Sequence, residues 1–326
     1  MGNRIYLVTG AAGFLGSNIC LQLLEKGEKV RALVLPNDKS VKYIPKDVEV
    51  CLGDLCDEKS LCDFFDIPEG MTSVVIHCAS MVTVDPAYSE KLMAVNVTGT
   101  RNIITKCLAH PECEKMVYVS STGAIPEAPM GTKIKEVSKF EPNDPTKVVG
   151  AYSQSKAKAS QMVMDSVNVM GLKACIVHPS GILGPNDHAV GETTHTLIDI
   201  IKGEMPIGMQ GSFNLCDVRD LAAGCIAAVD KGRIGEAYIL ANEPVTLKEM
   251  CEMLQEECDL FISMIDNGDF PIHFISRCSR AKFKIGRYSF EGDPFDMIFH
   301  GGAREELRGD VCKIFEGLTE FLEKIK

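Results

Sequence analysis

The sequence predicts a doubly wound α/β fold, in which a parallel β-sheet carries helices on both faces. Three observations predict it. Short apolar runs alternate with amphipathic stretches from Arg4 to about Val177. A glycine-rich turn, Thr9-Gly10-Ala11-Ala12-Gly13-Phe14-Leu15-Gly16, joins the first such run to the first helix. The polar motifs of this stretch fall at the carboxyl ends of predicted strands, where such sheets gather their ligands.

Taken in order, Ile5 to Val8 read as a buried strand, and Ile19, Leu21, Leu23 and Leu24 give the next segment an apolar helical face. Val30–Leu35, Val48–Leu52, Val74–His77, Val117–Ser120 and Ala174–His178 supply five further strands. Tyr152 opens a helix that continues through Ala157, Ala159, Met162, Val163 and Val167. After Pro185 the texture changes. A polar loop spans Asn186–Gly191 and a helix spans Thr193–Lys202. A stretch broken by Gly and Pro covers Met205–Phe213, and a helix covers Asp217–Val229. Ala237–Leu240 reads as a strand and Leu247–Leu254 as a helix. Gly and Pro break Asp259–His300 into short pieces, and Glu305–Ile325 has the spacing of a closing helix.

The chain has 326 residues, 45% of them hydrophobic and 24% charged, and a formal net charge of −11. That length can bury a large core. The acidic balance offers no footprint for nucleic acid. The chain enters a strand at once, and no apolar run could span a bilayer, so neither a secretory leader nor a membrane partner is expected and the protein reads as cytoplasmic. None of the 14 cysteines forms a C-x-x-C pair. Cys51, Cys56 and Cys62 lack zinc-site spacing, so no metal is expected. The cysteines read as reduced thiols that pack as small hydrophobes.

The glycine turn carries the first chemical signal. Between a strand and a helix, such a turn lets backbone N–H groups approach a pyrophosphate, and the helix dipole favours the anion. Gly10 permits the turn, Gly13 removes a Cβ where the ligand comes close, and Gly16 lets the helix pack; Ala12, Phe14 and Leu15 complete the cradle. The second signal is Tyr152-Ser153-Gln154-Ser155-Lys156, which sets Tyr and Lys on one helical face. The Lys156 ammonium would lower the Tyr152 pKa, and a phenol so tuned can exchange a proton with a carbinol oxygen. Upstream, Ser120-Ser121-Thr122-Gly123 ends a strand with hydroxyls able to hydrogen-bond a carbonyl.

With these pieces on the page, the chain resembles the extended short-chain dehydrogenase/reductases. The matching motifs also include Gly53-Asp54-Leu55, His77-Cys78-Ala79-Ser80, Asn96-Val97-Thr98-Gly99-Thr100 and His178-Pro179-Ser180-Gly181-Ile182-Leu183-Gly184-Pro185, and together they run from residue 4 to about 250. The resemblance is strongest to the branch of dihydroflavonol-4-reductases and 3β-hydroxysteroid dehydrogenases. It implies a Rossmann domain over 1–180 and a smaller substrate-binding lobe drawn mostly from 181–326, some of whose segments return to the first domain. It implies Thr122 as the hydroxyl that polarises a carbonyl, with Ser121 as the fallback, beside Tyr152 and Lys156. Asp54 and Leu55 would edge the adenine, Ala79 and Ser80 the path to the nicotinamide ribose, Lys156 that ribose, and Pro179, Ser180, Gly181 and Ile182 the carboxamide. Family members often dimerise through the helices that carry Asn96 and Tyr152, so a homodimer is the analogous expectation.

Cofactor choice is normally made at the end of the second strand, by an acid for NAD(H) or a base for NADP(H). Here Val34-Leu35-Pro36 supplies neither. Lys39, Ser40 and Lys42 follow, and Arg31 is near in sequence, so NADP(H) is favoured, with NAD(H) as the alternative. The expected activity interconverts a secondary alcohol and a ketone on an apolar small molecule such as a steroid or flavonoid-like ring. Ile182, Leu183, Met209 and Phe213 are the candidate substrate contacts. The alternatives are a nucleotide-sugar epimerase or dehydratase, and a dinucleotide-binding sensor without chemistry.

Overall fold

The computed structural model describes residues 3–129, 132–202, 212–242, 244–246, 248–250, 252–253, 282–285 and 288–291. The principal sheet contains β1 (Arg4–Thr9), β2 (Lys29–Val34), β3 (Glu49–Leu52), β4 (Thr72–His77), β5 (Cys113–Val119), β6 (Ala174–Pro179) and β9 (Ala237–Leu240). Its order is β3-β2-β1-β4-β5-β6-β9, and every pair is parallel. The reversal between β1 and β4 is the switch point of a doubly wound sheet, outside which ligands bind.

The central strands are apolar on both faces because helices cover both. On one side Ile5, Leu7, Val75, Met116, Tyr118 and Ile176 join a cluster with Ile103 and Ile104 of α4 (Thr100–Ala109) and with Ala157, Val163 and Met164 of α5 (Ala151–Met170). On the other side lie α1 (Phe14–Glu25) and α7 (Val218–Lys231). They bury Leu15, Ile19 and Leu23, and Leu221, Cys225 and Val229, at helical spacing. Each such side chain contributes about 1.5–3 kcal/mol when fully buried. The carbonyl end of α7 is closed by a buried lysine. Lys115 Nζ donates to the carbonyls of Ala228 (2.8 Å) and Val229 (3.0 Å), and also to that of Gly232. A cation there complements the helix dipole.

The chain divides into two compact units. One takes Met1–Ser180 with Cys216–Ala241, and the other takes Gly181–Leu215 and the described residues from Asn242 onward. The second unit has β7 (Gly181–Leu183), α6 (Glu192–Lys202) and β10 (Pro244–Thr246), and β8 (Ser212–Asp217) supplies it with all but its last two residues. These strands form a sheet of order β10-β8-β7, and β11 (Lys282–Ile285) pairs antiparallel with β12 (Tyr288–Glu291). Asp187 organises the polar loop before α6, its Oδ2 accepting from Gly191 N at 2.8 Å and Thr194 Oγ1 at 2.6 Å.

The seven strands expected from sequence are all present, six of them within two residues of their expected ends, while β5 begins at Cys113, four residues before its expected start. One expectation needs correction. The end of the Gly/Pro-broken stretch is strand β8, because Ser212 to Asn214 pair with Pro244 to Thr246 far along the chain. Residues 203–211, with Met209, lie outside the described residues, as do most of 259–300 and the closing helix at 305–325. The ten described cysteines are all free thiols. No helix among the described residues is long and apolar enough to cross a membrane.

Candidate active site

The carboxyl ends of β1, β4, β5 and β6 bring the motifs of the first unit together. β1 ends at Thr9, and Gly10 turns the chain with φ +68°. A Cβ on Gly10 would lie 2.7 Å from Ala79 N, so this glycine lets the ends of β1 and β4 approach. Gly16 is demanded by the turn itself, because its Cβ would lie 2.1 Å from Gly10 O. Gly13 is different. It is exposed, and a Cβ there would meet only Gly10 O, at 3.2 Å. The protein's own packing scarcely requires a glycine at that position.

The amino end of α1, which carries Phe14, Leu15 and the buried Gly16, has no side-chain cap and no acidic residue in its first turn. Its N–H groups and dipole are therefore presented without a competing carboxylate. Ala12 is half-buried at the same turn. A second indication lies at the end of β6, where the Ser180 hydroxyl is buried without a partner among the described residues. The open cradle at Gly13, the uncapped helix end and this orphaned hydroxyl fit a dinucleotide laid across the sheet edge.

Asp54 and Leu55 follow β3. Asp54 Oδ1 accepts from Cys56 N at 2.8 Å, and Asn102 Nδ2 of α4 donates to Leu55 O at 2.7 Å. Ala79 and Ser80 follow β4 and are half-buried, with Ala79 N donating to Thr9 Oγ1 at 3.2 Å. Pro179 ends β6 opposite Leu240, and Ser180 N donates to Leu240 O at 3.1 Å. Gly181 opens the second unit, and a Cβ there would meet Leu215 Cδ2 at 2.9 Å, so strand packing alone accounts for that glycine. Ile182 and Leu183 are half-buried residues of β7. Phe213 has its backbone in β8 paired with Val245.

The residues proposed for a 2′-phosphate separate into two groups. Lys39 and Lys42 are exposed in a 3-10 turn, Lys39–Tyr43; Asp38 caps it by accepting from Ser40 N at 2.8 Å. Lys42 Nζ lies 4.7 Å over the Tyr43 ring. Arg31 is not with them. It is buried, donates to the carbonyls of Asp63 (3.0 Å), Phe64 (3.2 Å) and Asp66 (2.6 Å), and pairs with Glu49 at 3.0 Å. Its guanidinium closes the carboxyl end of the short helix α2 (Cys62–Phe65), so nearness in sequence does not bring it to the lysines.

The catalytic candidates converge at β5 and α5. Gly150, with φ +87°, lets the chain enter α5, which sets Tyr152 and Lys156 one turn apart. Lys156 is 1% exposed and donates from Nζ to Val119 O at 2.7 Å, with the Tyr118 ring 4.8 Å away. Burial lowers its pKa to about 7, against a smaller opposing effect of Cys78. Desolvation raises the Tyr152 phenol above its ordinary value, and the nearby Ser121 hydroxyl opposes that shift.

The resemblance favours Thr122 over Ser121; Ser121 caps the 3-10 turn Thr122–Ala124, which Thr122 opens. Ser121 holds that turn by accepting from Gly123 N at 3.2 Å. His178 supports it from β6, with Nδ1 2.8 Å from Ser121 O. Burial lowers the His178 pKa to about 4. The ring is thus neutral, and Nδ1–H donates to the carbonyl. Arg219 is a helix-start residue that pairs with Asp217 at 2.6 Å.

A parallel sheet with a glycine cradle at its switch point and a Tyr/Lys pair on the adjoining helix defines a dinucleotide-dependent α/β protein of the extended short-chain dehydrogenase/reductase class. The chain belongs to the NAD dependent epimerase/dehydratase family, whose model matches residues 6–241. It is 32% identical over 252 residues to sterol demethylase protein B of Methylococcus capsulatus, covering 77% of this chain and 73% of that protein. It is 33% identical over 247 residues to a putative dihydroflavonol 4-reductase of Synechocystis, covering 74% and 69%. The crystal structure of gox2253 superposes with a TM-score of 0.67 at 32% identity, covering 78% of this chain and 74% of that one.

Proposed function

We propose that this protein is an NAD(P)-dependent oxidoreductase that interconverts a secondary alcohol and a ketone on an apolar, ring-containing small molecule, with NADP(H) preferred. The observation that carries the reading is the placement of Tyr152 at the start of α5, one helical turn from the buried Lys156 and beside the turn after β5 that Ser121 caps. Two hydroxyls from these neighbouring elements can grip one carbonyl oxygen. In the reducing direction Tyr152 and Ser121 donate to that oxygen, and Tyr152 then passes its proton to it. Lys156 is proposed to hold the dinucleotide's ribose beside that phenol. When bound, a reduced nicotinamide supplies the hydride that completes the alcohol. The similarity to sterol demethylase protein B and to a putative dihydroflavonol 4-reductase supports an apolar substrate. The missing acid after β2 and the exposed Lys39 and Lys42 support NADP(H). The substrate-facing residues are proposed to include Ile182, Leu183, Met209 and Phe213.

Two measurements test this. Calorimetric titration with NADPH and NADH should show tighter NADPH binding, and Lys39→Ala with Lys42→Ala should weaken NADPH alone. A panel of steroid, flavonoid and small aromatic ketones, read by nicotinamide absorbance beside UDP- and dTDP-sugars, should give stoichiometric cofactor consumption with a ketone. Tyr152→Phe should cut that rate by about 10²–10⁴ with dinucleotide affinity retained. Conversion of a nucleotide sugar without net cofactor use, and no ketone turnover, overturns the reductase reading in favour of epimerisation.

A further inference from the structure

We propose that His77 is a positioning residue, held in a single neutral tautomer, that ties the carboxyl ends of β1 and β4 to the turn carrying Asn96 and so to the catalytic helix. His77 is fully buried at the end of β4. Its Nδ1 lies 2.6 Å from Thr9 Oγ1 and its Nε2 lies 3.0 Å from Thr100 Oγ1. Hydrogen-bond accounting decides the direction. Thr100 spends its proton on Asn96 O at 2.7 Å, so towards His77 it can only accept, and Nε2 must carry the ring proton. Nδ1 is then an acceptor and takes the proton of Thr9. That leaves the Thr9 oxygen to accept from Ala79 N at 3.2 Å. The chain runs in one sense from the Ala79 amide through Thr9, His77 and Thr100 to the Asn96 carbonyl.

Asn96 carries it further. Its Oδ1 accepts from Met81 N at 2.8 Å, and its Nδ2 donates to Met81 O at 2.9 Å and to Ser155 Oγ at 2.9 Å. Ser155 in turn donates to Tyr152 O at 2.6 Å. The segment after β4 is thus held at Ala79 by His77 and at Met81 by Asn96, and the same network reaches the backbone of Tyr152. Asn96 sits in a π-helical turn, Ala94–Gly99, whose wider coil places this side chain between the two segments. The environment keeps the His77 ring neutral. Burial, with a smaller contribution from the Lys156 ammonium, lowers its pKa to about 3; the Tyr118 ring packed 5.6 Å away and the adjoining Cys78 thiol are themselves raised by burial and stay uncharged. Reversing the tautomer would set the Nδ1 proton against the Thr9 proton and leave Nε2 with no donor, at about 1–3 kcal/mol for each buried group left unsatisfied.

The inference rests on the proposed function only where dinucleotide affinity is read, so the test has an arm that needs neither cofactor nor substrate. In the full chain labelled with ¹⁵N-histidine, long-range ¹H–¹⁵N spectra should show one ring as a neutral Nε2–H tautomer, unchanged from pH 8 to pH 5, and His77→Gln should delete that signal. Thr100→Val keeps shape but removes the acceptor. In this variant the ring should lose its single tautomer and the Ala79 amide should exchange with solvent about tenfold faster, at a temperature well below the unfolding midpoint. NADPH affinity should fall about fivefold in the same variant. A His77 ring that titrates near 6.5, or is protonated on Nδ1 in the parent, overturns the assignment. A Thr100→Val protein with lowered thermal stability but unchanged Ala79 exchange and unchanged tautomer would show a link that packs without positioning, which also overturns it. Failure of the parent to bind any dinucleotide, with the spectra as expected, would count against the proposed function and leave this link standing.

Discussion

Gly13 and Gly16 stand in one motif, three residues apart, yet the structure requires them for different reasons, and alanine at each should separate stability from binding. At Gly16 the new Cβ would fall 2.1 Å from Gly10 O, 2.7 Å from Gly10 C and 2.9 Å from Ala11 Cα. All three are backbone atoms of a turn fixed by β1, so none can rotate away. Overpacking of this kind costs about 1–3 kcal/mol, towards the upper end when backbone must move. Better helix propensity returns less than about 1 kcal/mol. A net loss of about 2 kcal/mol in a unit of about two hundred residues lowers the unfolding midpoint by about 4–8 °C. At Gly13 the added Cβ meets one atom at 3.2 Å, and φ is −85°, a conformation open to alanine. The weaker alanine cap and the stiffer unfolded chain are each worth below about 1 kcal/mol and oppose one another, so the midpoint should move by less than about 4 °C. Gly13→Ala should nevertheless weaken NADPH at least about tenfold, or about 1.4 kcal/mol, because the methyl fills the approach to the pyrophosphate. Thermal unfolding and calorimetric titration of both variants decide it. A Gly13→Ala protein with parental affinity would refute the cradle, and one destabilised as much as Gly16→Ala would refute the packing argument.

Other outcomes follow from the same geometry. Ser121→Ala should lower kcat by about tenfold to a hundredfold, with a smaller change in KM, whereas Thr122→Val should change either by less than about threefold; a larger loss for Thr122→Val would restore the order the sequence suggested. Arg31→Leu should cost about 2–4 kcal/mol by leaving buried carbonyls and Glu49 without their donor, with equal effects on NADPH and NADH binding; a selective loss of NADPH would return Arg31 to the 2′-phosphate. Lys156 has a pKa of about 7 in the folded, cofactor-free chain and an ordinary value of 10.5 when unfolded. Between these values the unfolded state binds the extra proton, so stability should rise with pH through this window and the penalty should be full below about 7. Lys156→Met should flatten the slope of unfolding free energy against pH from 7 to 10, and an unchanged slope would contradict the buried amine.

The sequence by itself determined the order of strands and helices, the glycine cradle and the Tyr152/Lys156 helix. Each depends on near neighbours: an apolar run flanked by turn residues, a positive φ at Gly10, or two side chains one helical turn apart. It also determined which strand ends carry polar groups, since the parallel topology follows from the alternation. Only the tertiary structure decided which of those groups meet. The turn that carries Ser121 and Thr122 is fixed by His178 from β6, more than fifty residues on. Arg31 leaves the lysines for the carbonyls at the carboxyl end of α2, since alternate residues of a strand face opposite ways and its side chain faces a helix end. β8 exists because Pro244 to Thr246 lie beside it. The Thr9–His77–Thr100 chain was visible in sequence only as polar residues at apolar boundaries. Its direction and the tautomer it imposes come from hydrogen bonds between segments up to seventy residues apart, and pairing of that kind leaves no local trace in the order of the residues.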